Sequence, residues 1–101
     1  MEYQLVMTTV ADESEAAALS RSLVEAGLAA CVQIQPIRSV YRWKGELRED
    51  SEWRLTAKIM ADRYPDVERH IRERHSYELP EIVSVRVEGG LPEYLRWLEG
   101  E

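Results

Sequence analysis

The sequence predicts an α+β fold: a ferredoxin-like βαββαβ unit with a long central β-hairpin and a short C-terminal helix. Three observations predict it. Two β-rich arms flank Lys44-Gly45 inside residues 29–60, AACVQIQPIRSVYRWKGELREDSEWRLTAKIM. A stretch of helical period lies on either side of those arms. Two further apolar runs, Tyr3 to Val10 and Ile82 to Val87, lie outside the helices. Elements in this order, joined by right-handed crossovers, give an antiparallel sheet covered by two helices.

Tyr3 to Val10 (YQLVMTTV) is nearly continuous in apolar and β-branched residues, as in a strand central in a sheet or covered on both faces. Asp12 and Ser14 are candidate helix caps, and Asp12-x-x-Glu15 approximates a capping box. Ala16, Leu19, Leu23 and Ala26 recur at three- and four-residue steps and give the first helix its apolar stripe. Gly27 is placed to end it.

In the hairpin, β-branched and aromatic residues suit a pleated surface, and Gly45 takes a positive φ without steric cost. The turn therefore closes at Lys44-Gly45. A side-chain period of two puts Trp53, Leu55, Ala57 and Ile59 on one face and Glu52, Arg54, Thr56 and Lys58 on the other. The arms are far longer than the usual strand of about 5–6 residues, and an isolated two-stranded ribbon is barely stable in water. Pro36 cannot donate to a ladder and marks the change from domain sheet to protruding ribbon. The outer part, residues 37–52, needs another surface to rest on, and the economical one is a second copy of the chain.

After the hairpin, Pro65 suits the first turn of a second helix with Tyr64, Val67 and Ile71 as its buried stripe. His70 and His75 fall near its C-terminal end, where a positive imidazolium is mildly favoured. In HSYELPE, His75 to Glu81, Pro80 disfavours helix at Leu79. Ile82 to Val87 is the last major strand, and Gly89-Gly90 breaks it. Pro92 then starts a short helix with Leu91, Tyr94, Leu95 and Leu98 in a stripe and Trp97 beside it.

Residues 1–101, without repeat or low-complexity segment, read as one domain. A chain this short buries a modest core, so contacts between copies would help. The formal net charge of -6 speaks against a nucleic-acid surface, which needs a basic stripe to meet phosphates. The single cysteine, Cys31, allows no intrachain disulfide. Nothing reads as a signal peptide or a membrane span, so the expected setting is the cytoplasm, without membrane insertion. Gly89-Gly90 lacks the spacing of a phosphate or dinucleotide loop, and no Cys/His pattern of a zinc site occurs.

Five separated segments carry a resemblance. They are LAACVQI with Pro36 close behind, SVYRWKGEL, the run from Glu52 to Lys58, HSYELPEI, and Gly-x-x-x-Tyr-Leu-x-Trp ending at Trp97. In that order, over nearly the full length, the chain resembles the CutA, or divalent-cation tolerance, proteins. The resemblance implies a small cytoplasmic homotrimer of ferredoxin-like protomers in which the hairpin contributes to association. It implies a non-enzymatic role tied to tolerance of copper and other divalent ions, with no obligatory cofactor. The trimer is similar to that of the PII signalling proteins, which bind small ligands between subunits. A PII-like sensor or interaction module, holding an anion or metabolite in that cleft, is the alternative, since one fold hosts many functions. The acylphosphatase reading of the same fold lacks its phosphate cradle, because the first loop, TTVADES, has no base.

In bacterial members of the family the proposed copper ligands include a first-strand cysteine and two adjacent histidines just ahead of Tyr-x-x-Pro-Glu. The resemblance puts Met7 at the first position and Arg74-His75 at the pair, with Glu81 as a nearby carboxylate. A thioether serves Cu(I), and imidazole suits Cu and Zn, so Met7, His75 and Glu81 are the candidate metal set. Arg74 cannot ligate, and its charge opposes a cation. The plainer alternative has Met7 in the core and His75 hydrogen-bonded near a helix end.

Tyr41, Trp43, Glu52, Lys58, His75, Tyr77 and Glu81 all lie in the matching segments and form the candidate cleft at a subunit boundary. Together they suit a small anion or zwitterion, or a hard cation through Glu52 and Glu81. The plainer alternative is an interface salt-bridge network. Cys31 reads as a small apolar residue of a buried strand. A Cys31–His75 nucleophile pair would need adjacency, an activated thiolate and an oxyanion site. Trp53 and Trp97 read as core or interface anchors, and Glu46 to Glu52 as a solvated hairpin face.

Overall fold

The computed structural model describes residues 2–100. Its strands are β1 (Tyr3–Val10), β2 (Cys31–Trp43), β3 (Glu46–Met60) and β4 (Val83–Val87). They form one antiparallel sheet in the order β2-β3-β1-β4. Helices α1 (Glu13–Glu25) and α2 (Tyr64–Arg74) follow β1 and β3, a 3-10 turn at Ala61–Arg63 leads into α2, and α3 (Pro92–Leu98) ends the fold. The expected βαββαβ order with a terminal helix is the observed one.

The alternation read from the sequence sets the layers. Leu55, Ala57 and Ile59 of β3, with Val6 and Val10 of β1, form the covered face of the sheet. Against it pack Ala16, Leu19 and Leu23 of α1 and Val67 and Ile71 of α2, all under 5% exposed. Each large aliphatic side chain buried there contributes about 1.5–3 kcal/mol. The buried stripe of α1 runs Ala16, Leu19, Ser20 and Leu23, while Ala26, expected in it, is the exposed C-cap. The helix ends there in a Schellman motif. Leu28 N donates to Leu23 O at 3.0 Å and Gly27 N to Val24 O at 3.0 Å, with Gly27 at φ 72°.

The hairpin turn has Lys44 at φ 51° and Gly45 at φ 82°, the two positive values a two-residue type I′ turn requires. Pairing runs without a slip from Trp43↔Glu46 to Cys31↔Lys58. β1 accompanies β3 only as far as Val10↔Trp53, and Trp53 faces Pro36 on its other side. Pro36–Trp53–Val10 is therefore the last row with three strands. β2 is an edge strand, which tolerates the missing proline N–H. Beyond this row residues 37–52 form a bare two-stranded ribbon, with Val40 64% and Leu47 72% exposed. The molecule measures 45 × 25 × 22 Å, and its 14.2 Å radius of gyration exceeds the ~13 Å of a compact chain of this length.

Three expectations are corrected. Cys31 is half-buried rather than buried, because β2 lies at the sheet edge. In the α3 stripe Leu98 is buried and Leu95 half-buried, whereas Leu91 and Tyr94 are exposed and Tyr94 stacks on Trp97 at 5.6 Å. His70 does not favour the imidazolium. Burial, and then the charge of Arg74, push its pKa below the ordinary value, and its Nε2 sits 2.8 Å from Ser22 Oγ.

Leu55→Ala is expected to lower stability by about 3 kcal/mol, as a cavity in a packed core does. Gly27→Ala should cost about 1 kcal/mol through its positive φ. Denaturant midpoints at unchanged slope check both.

Candidate functional site

The segment between α2 and β4, residues 75–82, crosses the end of β1 at the base of the ribbon. His75 leaves the helix with extended dihedrals, φ -78° and ψ 141°. Three contacts pin the segment to the body. His75 Nε2 lies 2.8 Å from Thr9 O. Ser76 donates its N–H and its hydroxyl to the two oxygens of Glu15, at 3.1 and 2.9 Å. Tyr77 donates its hydroxyl to Glu52 Oε2 at 2.7 Å.

Glu15 explains a departure from the capping box. Asp12 does cap α1, accepting from Glu15 N at 2.8 Å. The Glu15 side chain, however, turns to Ser76 rather than back to the cap. No local signal ties Glu15 to Ser76, which lies 61 residues away.

His75 uses both ring nitrogens. Tyr77 N donates to Nδ1 at 3.1 Å, and the Thr9 carbonyl can only accept from Nε2. The ring is thus fixed with its proton on Nε2 and its lone pair engaged at Nδ1. A metal would have to displace one of these bonds. Among the described residues no group of three or more His, Cys, Asp or Glu side chains stands together as a metal site. Met7 of the candidate set is half-buried, paired with Thr56 and Val83.

The candidate cleft divides. Tyr41, Trp43, Glu52, Tyr77 and Glu81 line one cavity of about 510 Å³, with Leu79 and Pro80 closing one side. His75 stands behind it, its ring 4.9 Å from that of Tyr77. Lys58 is elsewhere. It shares the face of Glu52, as the alternation predicts, but lies six residues along β3, about 20 Å at ~3.3 Å per residue. There it faces Cys31 across the ladder and donates to Tyr94 OH at 3.0 Å. That hydrogen bond is the main reason its pKa is raised. The same register separates Cys31 from His75: Cys31 pairs with Lys58, whereas Thr9, which holds His75, pairs with Arg54.

Within the cavity the phenols are held protonated. Burial first, then the hydrogen bond to Glu52, push the Tyr77 hydroxyl far above its ordinary range. Tyr41 donates to Asp50 Oδ2 at 2.5 Å, and that bond raises its pKa as well. Both hydroxyls therefore serve as donors to carboxylates at neutral pH. Asp50, Ser76 and Thr9 are members of the site that sequence reasoning missed. Alternation alone could have found Asp50, since it shares a face with Glu52.

The family model described as CutA1 divalent ion tolerance protein matches residues 4–101. The chain is 41% identical over 96 residues to the divalent-cation tolerance protein CutA of Thermus thermophilus, covering 94% of this chain and 93% of that protein. The solved structure of the periplasmic divalent cation tolerance protein CutA from Archaeoglobus fulgidus superposes with a TM-score of 0.94 at 31% identity, over 96% of this chain and 95% of that one. Protein CutA, chloroplastic, of Arabidopsis thaliana is 36% identical over 96 residues, 94% of this chain and 53% of that protein. The periplasmic and chloroplastic names overturn the cytoplasmic expectation. A lone cysteine and a charged surface suit several compartments equally, so they could not select one. No helix among the described residues is long and apolar enough to cross a membrane.

The raised Tyr77 pKa has a definite sign. The folded state holds the proton above the unfolded phenol's ordinary ~10, so stability falls as pH rises through that region. Tyr77→Phe should remove this alkaline loss. At neutral pH it leaves Glu52 buried without its donor, at a cost of about 1–3 kcal/mol. Denaturation of both proteins at pH 7 and about pH 10.5 should show the wild-type advantage shrinking at the higher pH.

Proposed function

We infer that this chain, which belongs to the CutA1 divalent ion tolerance family, serves divalent-cation tolerance as a non-enzymatic homotrimer joined through its ribbons. The observation that carries the reading is the unsupported ribbon itself. A two-stranded ribbon is marginal in water, and an exposed edge invites pairing. Leu47, Val40 and Tyr41, at 72%, 64% and 38% exposed, gain cover only from outside the chain. The number three comes from the family resemblance.

The chemistry fits a binding role better than a catalytic one. Cys31 and His75 sit at different rows of the sheet, so no nucleophile–base pair forms between them. His75 is assigned a structural part, since both of its nitrogens are already engaged. Divalent ions such as copper are then met weakly by exposed ribbon carboxylates such as Glu46, since Glu49 is already paired with Arg38 at 2.8 Å. The alternative of an anion held in the cleft loses Lys58, the cation the matching segments offered for it, because Lys58 lies on a different part of the sheet.

Two measurements test this reading. Tyr41→Ala with Trp43→Ala should weaken or split the oligomer in sedimentation, and a trimer of unchanged strength would count against ribbon-mediated association. Titration of wild type and His75→Ala with Cu²⁺ and Zn²⁺ should give the same weak isotherms. A tight isotherm lost in the variant would return His75 to the ligands.

A further inference from the structure

We propose that the cavity at the ribbon base is a binding site for an organic cation, an ammonium or guanidinium group, held by Glu52 between the rings of Tyr41, Trp43 and Tyr77. Glu52 is only 8% exposed. Its carboxylate takes one hydrogen bond, from the Tyr77 hydroxyl to Oε2, and among the described residues it has no ion pair. A carboxylate whose side chain is mostly covered and that has one neutral donor gains from a cationic donor at its open oxygen. Tyr77 meets one oxygen. The other is not an enclosed orphan: it opens on the cavity, where it can meet a cation without first being uncovered.

The lining selects the class of that group. It includes Glu52 and Glu81 and no Lys, Arg or His. Arg48, paired with Tyr41 across the ladder, lines an adjoining recess of about 300 Å³ that shares Tyr41, Trp43, Tyr77 and Leu79 with this one, but it does not line the cavity itself. Two carboxylates without a base disfavour an anion. A hard divalent ion takes about six oxygens or more, and no cluster of three ligating side chains stands here among the described residues. Aromatic faces attract a cation within about 6 Å, more strongly as water is excluded. A volume of about 510 Å³ is ample for a small amine or guanidine. The same chemistry arrives from a free molecule or from a Lys or Arg side chain of a second copy. The lining comes from one chain but shares Val40, Tyr41 and Trp43 with the ribbon surface assigned to association, so binding and assembly are read separately in each variant.

The test titrates the full chain with butylguanidinium and with butylurea, its uncharged isostere. Saturable binding of the cation, at least tenfold tighter than the urea and weakened at least tenfold in Glu52→Gln, is the expected result. The glutamine keeps the volume and an acceptor for Tyr77, and circular dichroism checks its fold. Trp43→Leu, compared with wild type at a concentration where sedimentation shows the same assembly state for both, is the second variant should Glu52→Gln not fold, and it should weaken the cation several-fold. If butylguanidinium does not bind, but Glu52→Gln makes the copies dissociate at tenfold higher concentration, the cation is a side chain of a second copy and the chemistry stands. Equal affinity for cation and urea overturns the assignment, as does cation binding that survives Glu52→Gln unchanged. Absent binding with unchanged assembly overturns it too. Stoichiometric displacement of butylguanidinium by Ca²⁺ or Cu²⁺, lost in Glu52→Gln, would make the cavity a metal site and overturn it equally.

Discussion

The fold depends on a mismatch in strand length. β1 ends at Val10, while its neighbour β3 and the paired β2 run on past it. Up to the row Pro36–Trp53–Val10 the inner strands β1 and β3 have the backing of the helices, and Leu55, Ala57 and Ile59 are all about 1% exposed. Past that row there is neither a third strand nor a helix. Residues that would be core lower in the sheet, such as Val40, stand in solvent. The change is abrupt because a helix layer covers only the sheet it packs on, and α1 begins at Glu13, just after β1 ends, and runs back over the body away from the ribbon.

The segment after α2 occupies the place that β1 vacates. Glu52 is the first residue past the last three-stranded row on the face without α1 and α2, and Tyr77 closes over it. Holding Tyr77 there takes two anchors from opposite sides, the Thr9 carbonyl for His75 and the Glu15 carboxylate for Ser76. A carboxylate buried beside a phenol is poor value as a source of stability, since desolvation offsets most of what the hydrogen bond contributes. Its position at the mouth of a cavity is better understood as a place for a charge to be met. The relatives are named for divalent ions and for two different compartments. What this chain is shown to share with the solved structure is the overall scaffold.

Period and punctuation determined the elements. The alternation from Glu52 to Ile59, the stripe from Ala16 to Leu23, the turn at Lys44-Gly45 and the role of Pro36 were all legible, because each rests on neighbours within a few residues. The shared face of Glu52 and Lys58 was legible for the same reason. Their separation along the strand was overlooked, although the rise of a β-strand states it. Tertiary structure alone decided which polar groups meet. The Glu15–Ser76, His75–Thr9 and Tyr77–Glu52 contacts join residues 61, 66 and 25 positions apart. It also decided that His75 has no lone pair to offer and that Glu52 is buried without a counter-charge. Side-chain type fixes what a group can do, but whether its donors and acceptors are free depends on partners that only the folded chain brings within hydrogen-bonding distance.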